Sequence, residues 1–146
     1  MNLTIRRMQE DDLPTVHRLE TTIFKDPWTY SNFQSEIENS TFSYPCVMLA
    51  DQSVIGYAVV WYYSTEIHIS NFAIHPNYRK KGLGERLLSH ILQKFKTYET
   101  AYLEVRRSNY AAIRLYTKYD FKTLYTRSAY YSDGEDALVM VKHLNV

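Results

Sequence analysis

A short loop rich in glycine and basic residues is the part of this 146-residue chain best suited to bind an anion. The chain has four glycines, and two of them, Gly82 and Gly84, stand almost side by side. Glycine allows a tight turn and lets a ligand approach the backbone without meeting a Cβ atom. The neighbouring basic residues are Arg79, Lys80, Lys81 and Arg86. Because a strongly periodic helix follows, its free amides and its dipole favour a phosphate or pyrophosphate here.

A glycine-rich basic loop also occurs in other kinds of site. A dinucleotide-binding fingerprint would need a third glycine where Leu87 stands, and a P-loop would need Gly-Lys-Ser/Thr after its second glycine. The loop could also be a solvated basic helix start. A nucleic-acid site is poorly supported, because the formal net charge of the chain is only +1.

Metal and covalent chemistry are not indicated by the remaining reactive residues. The five histidines are His17, His68, His75, His90 and His143. They form no metal-ligand spacing with one another or with the single cysteine, Cys46. Cys46 falls in a strand-like apolar run, where a small buried side chain is the more common role. We therefore expect no metal and no covalent enzyme intermediate.

Hydrophobic periodicity predicts the elements that position the loop. Strands are predicted at residues 3–6, 43–50, 54–63, 66–74, 101–105, 122–131 and 136–141. Helices are predicted from Asp11 or Asp12 to about residue 22, and at residues 31–39, 83–95 and 109–119. The last two strands are expected to form a hairpin through Ser132, Asp133 and Gly134.

This order of elements predicts an α/β (α+β) fold with a mixed, mostly antiparallel sheet and helices on both faces. One strand-helix-strand crossover, from residues 66–74 to residues 101–105, should make a parallel pair. Ligands in such sheets lie beyond the carboxyl ends of strands. The predicted site is therefore at residues 71–74, at residues 104–107 and in the glycine loop.

Composition and length set the class of protein. The chain is 45% hydrophobic and 23% charged, which is typical of a globular protein and predicts a single domain over residues 1–146. No apolar stretch resembles a signal peptide or approaches the ~20 residues of a membrane span. With one cysteine, we expect a soluble cytoplasmic protein in a reducing compartment.

Several motifs together resemble the GNAT N-acetyltransferase superfamily. The sequence Arg79-x-x-Gly82-x-Gly84 is similar to the acyl-CoA pyrophosphate loop of that family, and it follows a strand and Pro76. Residues 103–109 and 111–116, the Pro27-Trp28-Thr29 turn, and Tyr130-Tyr131 with residues 134–137 resemble one subgroup, the ribosomal-protein alanine N-acetyltransferases. One departure is Asp120, where the family usually has a glycine. Aspartate tolerates the left-handed conformation at a cost of about 1 kcal/mol.

The resemblance implies acetyl-CoA-dependent acetylation of a protein N-terminus, most specifically the N-terminal alanine of a ribosomal protein, by direct transfer in a ternary complex. It implies Glu104 as general base and Tyr116 as hydrogen-bond donor to the departing sulfur. It implies the following residues for acetyl-CoA: Phe72, Ala73, Ile74, Arg79, Lys80, Lys81, Gly82, Leu83, Gly84, Glu85 and Asn109. Trp28, Tyr130 and Tyr131 would flank the acceptor peptide, with neither nucleic acid nor membrane as partner.

The residues alone leave these roles open. Glu104 could form an ordinary surface ion pair with Arg106 or a neighbouring lysine. Tyr116 could be a packed core tyrosine, since it lies on the apolar stripe of its helix. Acetylation of a small amine or a lysine side chain is the alternative enzyme activity. A non-catalytic acyl-CoA-binding module is the alternative of a different class. The sequence does not determine the oligomeric state.

Overall fold

Seven strands and four helices follow one another in the predicted order. The computed structural model describes residues 1–39 and 41–144. The strands are β1 (Leu3–Arg7), β2 (Ser43–Ala50), β3 (Ser53–Tyr63), β4 (Glu66–Ile74), β5 (Thr100–Arg106), β6 (Lys122–Arg127) and β7 (Ala137–His143). The helices are α1 (Leu13–Ile23), α2 (Tyr30–Glu38), α3 (Leu83–Lys94) and α4 (Tyr110–Lys118). Single 3-10 turns lie at Glu10–Asp12 and Pro76–Tyr78.

The strands form one sheet in the order β1-β2-β3-β4-β5-β7-β6. Neighbours are antiparallel except β4 and β5, which confirms the predicted crossover. The parallel pairing runs from Glu66 opposite Thr100 to Ile69 opposite Leu103 and then stops. Both strands continue beyond this point, to Ile74 and Arg106. The sheet therefore opens between β4 and β5 at their carboxyl ends.

A β-bulge in β4 lies where this opening begins. Val60 of β3 pairs with Ile69 and Val59 pairs with Asn71, so Ser70 has no partner in β3. A bulge residue inverts the alternation of side chains along its strand. Ile69 accordingly packs in the core on one face of the sheet, while Asn71 is buried against the other face.

Each face of the sheet is covered by two helices. The larger core includes Leu83, Leu87, Leu88 and Ile91 of α3 and Tyr116 of α4. The smaller core, on the opposite face, includes Leu13, Val16 and Leu19 of α1 and Phe33 of α2. This arrangement confirms helices on both faces.

Cys46 lies in the larger core, fully buried within β2. Burial raises the pKa of its thiol to about 12. The thiol is therefore protonated at neutral pH.

The connection between β6 and β7 is longer than predicted. The two strands pair antiparallel and form the predicted hairpin, but β6 ends at Arg127 rather than at residue 131, so the predicted end of this strand is wrong. Ala129 has a positive φ of 50°, which turns the chain out of the strand, and Asp136 accepts a hydrogen bond from its N–H. Tyr130 and Tyr131 consequently lie in a loop, which is called the β6–β7 loop below.

Both ends of α4 have residues suited to that position. Asp120, which ends α4, has a φ of 70°, as expected for the residue that stands where the family usually has glycine. Asn109 caps α4, since its side chain accepts a hydrogen bond from the N–H of Ala112.

Among the described residues, no helix has both the length and the apolar character that crossing a membrane would require.

Gly56 allows the close approach of β3 and β4 near the end of β4. A Cβ atom at this position would lie 2.8 Å from Cδ1 of Ile74 and 3.1 Å from the backbone oxygen of Ala73. We expect Gly56→Ala to lower the free energy of unfolding by about 1–3 kcal/mol through overpacking. Urea denaturation measures it. In an Ile74→Val background, which lacks Cδ1, the loss should be smaller; an equal loss in both backgrounds would contradict this origin.

Candidate active site

The open end of the sheet carries a row of polar side chains on the face covered by α1 and α2. Ala101, Leu103 and Val105 of β5 are buried in the larger core. Because side chains alternate along a strand, Tyr102, Glu104 and Arg106 project from the opposite face. Glu104 therefore stands where β5 leaves β4, as the sequence predicted.

Glu104 forms a close pair with His68 of β4. Their Nε2 and Oε2 atoms are 2.7 Å apart, so the imidazole can donate a hydrogen bond to the carboxylate. The two side chains are only 16% and 12% exposed, respectively. The imidazole is held by stacking on Tyr102, with ring centres 4.4 Å apart and an angle of 3° between the ring planes. This pair joins a carboxylate to an imidazole that is held in place by its stack on Tyr102.

Two tryptophans extend this face toward α2. Trp61 of β3 meets the His68 ring edge-on at 5.3 Å, and Trp28 stacks on Trp61 at 6.1 Å. Trp28 also contacts Phe33 of α2. The turn at Pro27 and Trp28 thus forms an aromatic wall beside the His68–Glu104 pair.

A buried carboxylate fixes the position of that turn. Glu20 of α1 is 1% exposed and accepts hydrogen bonds from the Tyr57 hydroxyl at 2.8 Å, the Asn71 amide at 3.0 Å and the Trp28 backbone N–H at 3.0 Å. Burial raises the pKa of Glu20, while these three donors act in the opposite direction. One side chain therefore joins α1, β3, β4 and the Trp28 turn.

Arg106 joins two loops that lie far apart in sequence. Its guanidinium donates to Asp26 of the α1–α2 loop and to Asp133 and Glu135 of the β6–β7 loop, at 2.9–3.0 Å. Ser132 also donates to Asp26, through its backbone N–H and its hydroxyl. Arg106 is therefore not an ion-pair partner of Glu104.

The predicted peptide-flanking tyrosines lie on the β6–β7 loop. The Arg106 guanidinium lies over the Tyr131 ring at 4.1 Å, and Arg127 lies over Tyr130 at 4.8 Å. Arg127 also approaches Glu104, at 3.9 Å. Burial raises the pKa of Tyr131 to about 12. The loop thus brings two aromatic rings to the site, where they meet Arg106 and Arg127.

Tyr116 of α4 is packed between Phe72 of β4 and Phe121, and it is 5% exposed. Burial, with a smaller contribution from Tyr131, raises the pKa of its hydroxyl. Within residues 1–39 and 41–144, no fully buried side-chain oxygen or nitrogen lacks a hydrogen-bond partner. Tyr116 is a core tyrosine whose ring lies beside the end of β4.

The backbone of β4 has a free edge beside Tyr116. Phe72, Ala73 and Ile74 pair with β3 on one side, but β5 no longer pairs with them on the other. Backbone groups on that side have no strand partner within the described sheet. A ligand oxygen can therefore accept hydrogen bonds from the backbone here.

The glycine loop has two residues in the left-handed conformation, Lys80 at φ 62° and Gly82 at φ 75°. Gly82 is the N-cap of α3, so the first amides of the helix, from Leu83 onward, have no partner within the helix. Successive amides in such a conformation form an anion-binding concavity.

Other members of the predicted acetyl-CoA set have structural contacts of their own. Arg79 donates to the backbone oxygen of Ile74 at 3.2 Å, and Glu85 pairs with Lys118 at 3.0 Å. A Cβ atom at Gly84 would lie 3.3 Å from Leu115. Gly84 thus permits close packing of α3 on α4, whereas the space around Gly82 is open.

Three residues of the site were not found by the sequence analysis. The sequence pointed to His68 only as a possible metal ligand. It lies two residues before the bulge at Ser70, after which the side chains of β4 alternate in the opposite sense. Glu20 lies on the apolar stripe of α1 with Leu13 and Val16, and a carboxylate on such a stripe signals a buried polar contact. Nothing in the local sequence marked Arg106 as a bridge between loops.

Comparison with known proteins places these features in context. The model of the acetyltransferase (GNAT) family matches residues 13–121. A Bacillus subtilis (strain 168) protein, provisionally named a ribosomal protein bS18-alanine N-acetyltransferase, is 35% identical over 97% of this chain and 95% of its own. An N-alpha-acetyltransferase of Saccharolobus solfataricus is 30% identical over 98% and 94%. The crystal structure of the ribosomal-protein-S18-alanine N-acetyltransferase from Escherichia coli superposes with a TM-score of 0.90 and 29% identity, covering 99% and 96%.

The Glu20 anchor can be tested through Tyr57. We expect Tyr57→Phe to lower the free energy of unfolding by about 1–3 kcal/mol, because a buried carboxylate loses a donor. The pKa of Glu20 in the folded state is raised above its ordinary value of 4.5. The stability that Glu20 contributes is therefore complete below pH 4.5 and is lost as the pH rises through the folded-state pKa. The loss should therefore grow with pH. Tyr63→Phe, at a ring that is 74% exposed, is the control. A pH-independent loss, or one equal to the control, would refute the anchor.

Proposed function

Because the chain belongs to the acetyltransferase (GNAT) family and is an acetyl-CoA-dependent protein N-acetyltransferase, we propose that it acetylates the N-terminal alanine of a ribosomal protein. The observation that carries this proposal is the His68–Glu104 pair at the point where β4 leaves β5. The names of the relatives from Bacillus subtilis and Saccharolobus solfataricus support an N-terminal α-amine as the acceptor.

The proposed acetyl-CoA site runs along the opening of the sheet. The amides of residues 80–85 would hold the pyrophosphate, helped by the charges of Lys80 and Lys81, and Asn109 would contact the pantetheine arm at the start of α4. The free edge of β4 at residues 72–74 would hold the thioester carbonyl. The supporting observations are the left-handed loop before α3 and the unpaired strand edge. The acetyl group would then pass directly to the amine, with both substrates bound.

Glu104 is the proposed general base, and His68 is the proposed positioning residue. A base must lie within hydrogen-bond reach of the proton that it removes, directly or through one water. The Glu104 carboxylate uses one oxygen for His68 and turns the other toward Arg127 and the open end of the sheet. The stack on Tyr102 fixes the imidazole, which in turn fixes the carboxylate.

The choice of an α-amine follows from its protonation. An α-amino group titrates near 7.7–8.0, so its neutral form costs roughly 1 kcal/mol at pH 7, whereas a lysine side chain near 10.4 costs roughly 4.6 kcal/mol. A carboxylate base is suited to the first of these tasks and poorly suited to the second. The walls formed by Trp28 and Tyr131 would leave room for a small first residue.

Tyr116 is the proposed donor to the departing sulfur. Because burial raises the pKa of its hydroxyl, a hydrogen bond to the developing thiolate is favoured over complete proton transfer. The contact of its ring with Phe72, next to the free edge of β4, is the observation that supports this role.

Replacement of Glu104 tests the base. We expect Glu104→Gln to lower kcat/KM on an alanine-initiated peptide by at least about 10²-fold near pH 6.5. The deficit should shrink as pH rises, because more of the amine is already neutral. Mass spectrometry of peptides with free or blocked N-termini, each carrying one lysine, identifies the acetylated amine. Glu10→Gln, at an exposed carboxylate, is the control. An undiminished rate at pH 6.5 would exclude Glu104 as the base, and a preference for lysine would exclude the α-amine.

Replacement of Tyr116 tests the donor. Tyr116→Phe keeps the aromatic packing and removes only the hydroxyl, so kcat should fall on the order of 10²-fold while the Kd for acetyl-CoA stays the same. Stopped-flow turnover and calorimetry give the two values. Tyr110→Phe, at a ring that is 68% exposed, should change neither. If turnover is retained and only the melting temperature falls, Tyr116 is a packing residue.

A further inference from the structure

A cavity of about 450 Å³ lies beside the His68–Glu104 pair and is not used by the chemistry above. His68 and Tyr102, which hold the base, form one side of it. The residues that line the rest of it include Trp61, Tyr63 and Glu66. The cavity therefore continues the acceptor side of the site, away from the opening of the sheet.

The strand register gives the position of this cavity relative to Glu104. Tyr102 lies two residues before Glu104 on β5 and pairs with His68. Glu66 lies two residues before His68 on β4 and is therefore two residues further from Glu104 along the strands. Two residues of a strand span roughly 7 Å. An extended peptide spans roughly 3.5 Å per residue, so the third residue of a peptide whose amine lies at Glu104 would lie over Tyr102. A long side chain on the second or third residue reaches Glu66.

The charge of the cavity is negative. Of the residues that line it, none is lysine or arginine. In the described part of the chain, the Glu66 carboxylate takes part in no ion pair or side-chain hydrogen bond. Burial, followed by the nearby carboxylates of Glu104 and Glu66, raises the pKa of Tyr102. The nearest cation to Glu104 is Arg127, which lies over Tyr130 in the β6–β7 loop.

The walls of the cavity are aromatic. Trp61 is 40% exposed and Tyr63 is 74% exposed, so their rings are open to a ligand. Aromatic faces attract cations, and tryptophan does so most strongly. A carboxylate without a partner at the end of an aromatic channel is suited to a long side chain with an apolar stem and a positive tip.

We propose that this cavity binds the lysine or arginine side chain at the second or third residue of the acceptor peptide. The inference rests on the proposed N-terminal acetylation and adds a specificity determinant to it. Trp61 and Tyr63 pack on the stem of the basic side chain, and Glu66 pairs with its charge. A long apolar side chain would gain the first contact and leave Glu66 without a partner.

The test compares peptides that all begin with alanine and differ at the second or third residue. Arginine at one of these positions should give a kcat/KM about fivefold to tenfold above that for glutamine or norleucine, mainly through KM, as expected for one half-exposed ion pair and one cation–π contact. Raising the ionic strength should narrow the difference. Glutamate should be the poorest residue.

Variants of Glu66 locate the preference. Glu66→Gln should bring arginine and glutamine peptides to within about twofold of each other, and Glu66→Lys should favour the glutamate peptide over the arginine peptide. Tyr63→Ala should weaken the preference for arginine without a change in melting temperature, because the ring is exposed. Glu10→Gln carries the same loss of charge far from the cavity and should keep the wild-type preference.

The two proposals fail in different ways. If the wild-type protein acetylates alanine peptides equally well with arginine, glutamine or glutamate at these positions, or if Glu66→Lys keeps the wild-type order, the cavity proposal is wrong and N-terminal acetylation stands. If the norleucine peptide has the same kcat/KM as the arginine peptide, the cavity selects apolar side chains and the role proposed for Glu66 is wrong. If none of the peptides is acetylated at the α-amine, the proposed function is wrong, and this inference falls with it.

Discussion

The end of pairing between β4 and β5 is the constraint on which the rest of the site depends. Hydrogen bonds join the strands only as far as Ile69 and Leu103, and the bulge at Ser70 then redirects β4. One departure from a regular sheet has two effects. It frees a backbone edge at residues 72–74, and it places Asn71 against Glu20 of α1. The larger core stays continuous beneath the opening, since residues on both strands remain buried in it.

Two polar anchors then hold the irregular segments around this opening. Glu20 fixes the Trp28 turn from below, and Arg106 ties that turn to the β6–β7 loop from the sheet. They differ in their surroundings. Glu20 is buried, so each missing donor leaves a desolvated carboxylate, whereas the carboxylates that Arg106 binds are 22–36% exposed, so each contributes less. The Trp28 side of the acceptor site is therefore more firmly held than the tyrosine side.

Most of the architecture follows from the hydrophobic periodicity of the sequence and from its turn residues. Strands β2 and β4 have the predicted bounds, and the parallel crossover with its glycine loop lies where it was expected. The β6–β7 loop was mispredicted because its turn depends on Ala129 at positive φ and on Asp136, which local propensity does not signal. The site depends on the register in which the strands pair, and the sequence alone does not give that register. Whether His68 faces Glu104 is decided by the pairing of β4 with β5, and the partners of Arg106 are set by loops from both ends of the chain.

The burial of Cys46 has a practical consequence for any study of turnover. This is the single cysteine of the chain, it lies within the core, and its raised pKa keeps the sulfur protonated. Thiol reagents act on accessible thiolates. Each acetyl transfer from acetyl-CoA releases one free thiol on the coenzyme. In the folded state the protein contributes no competing reactive thiol, so a chromogenic disulfide reports turnover continuously, and a slow background reaction with the reagent reports unfolding instead.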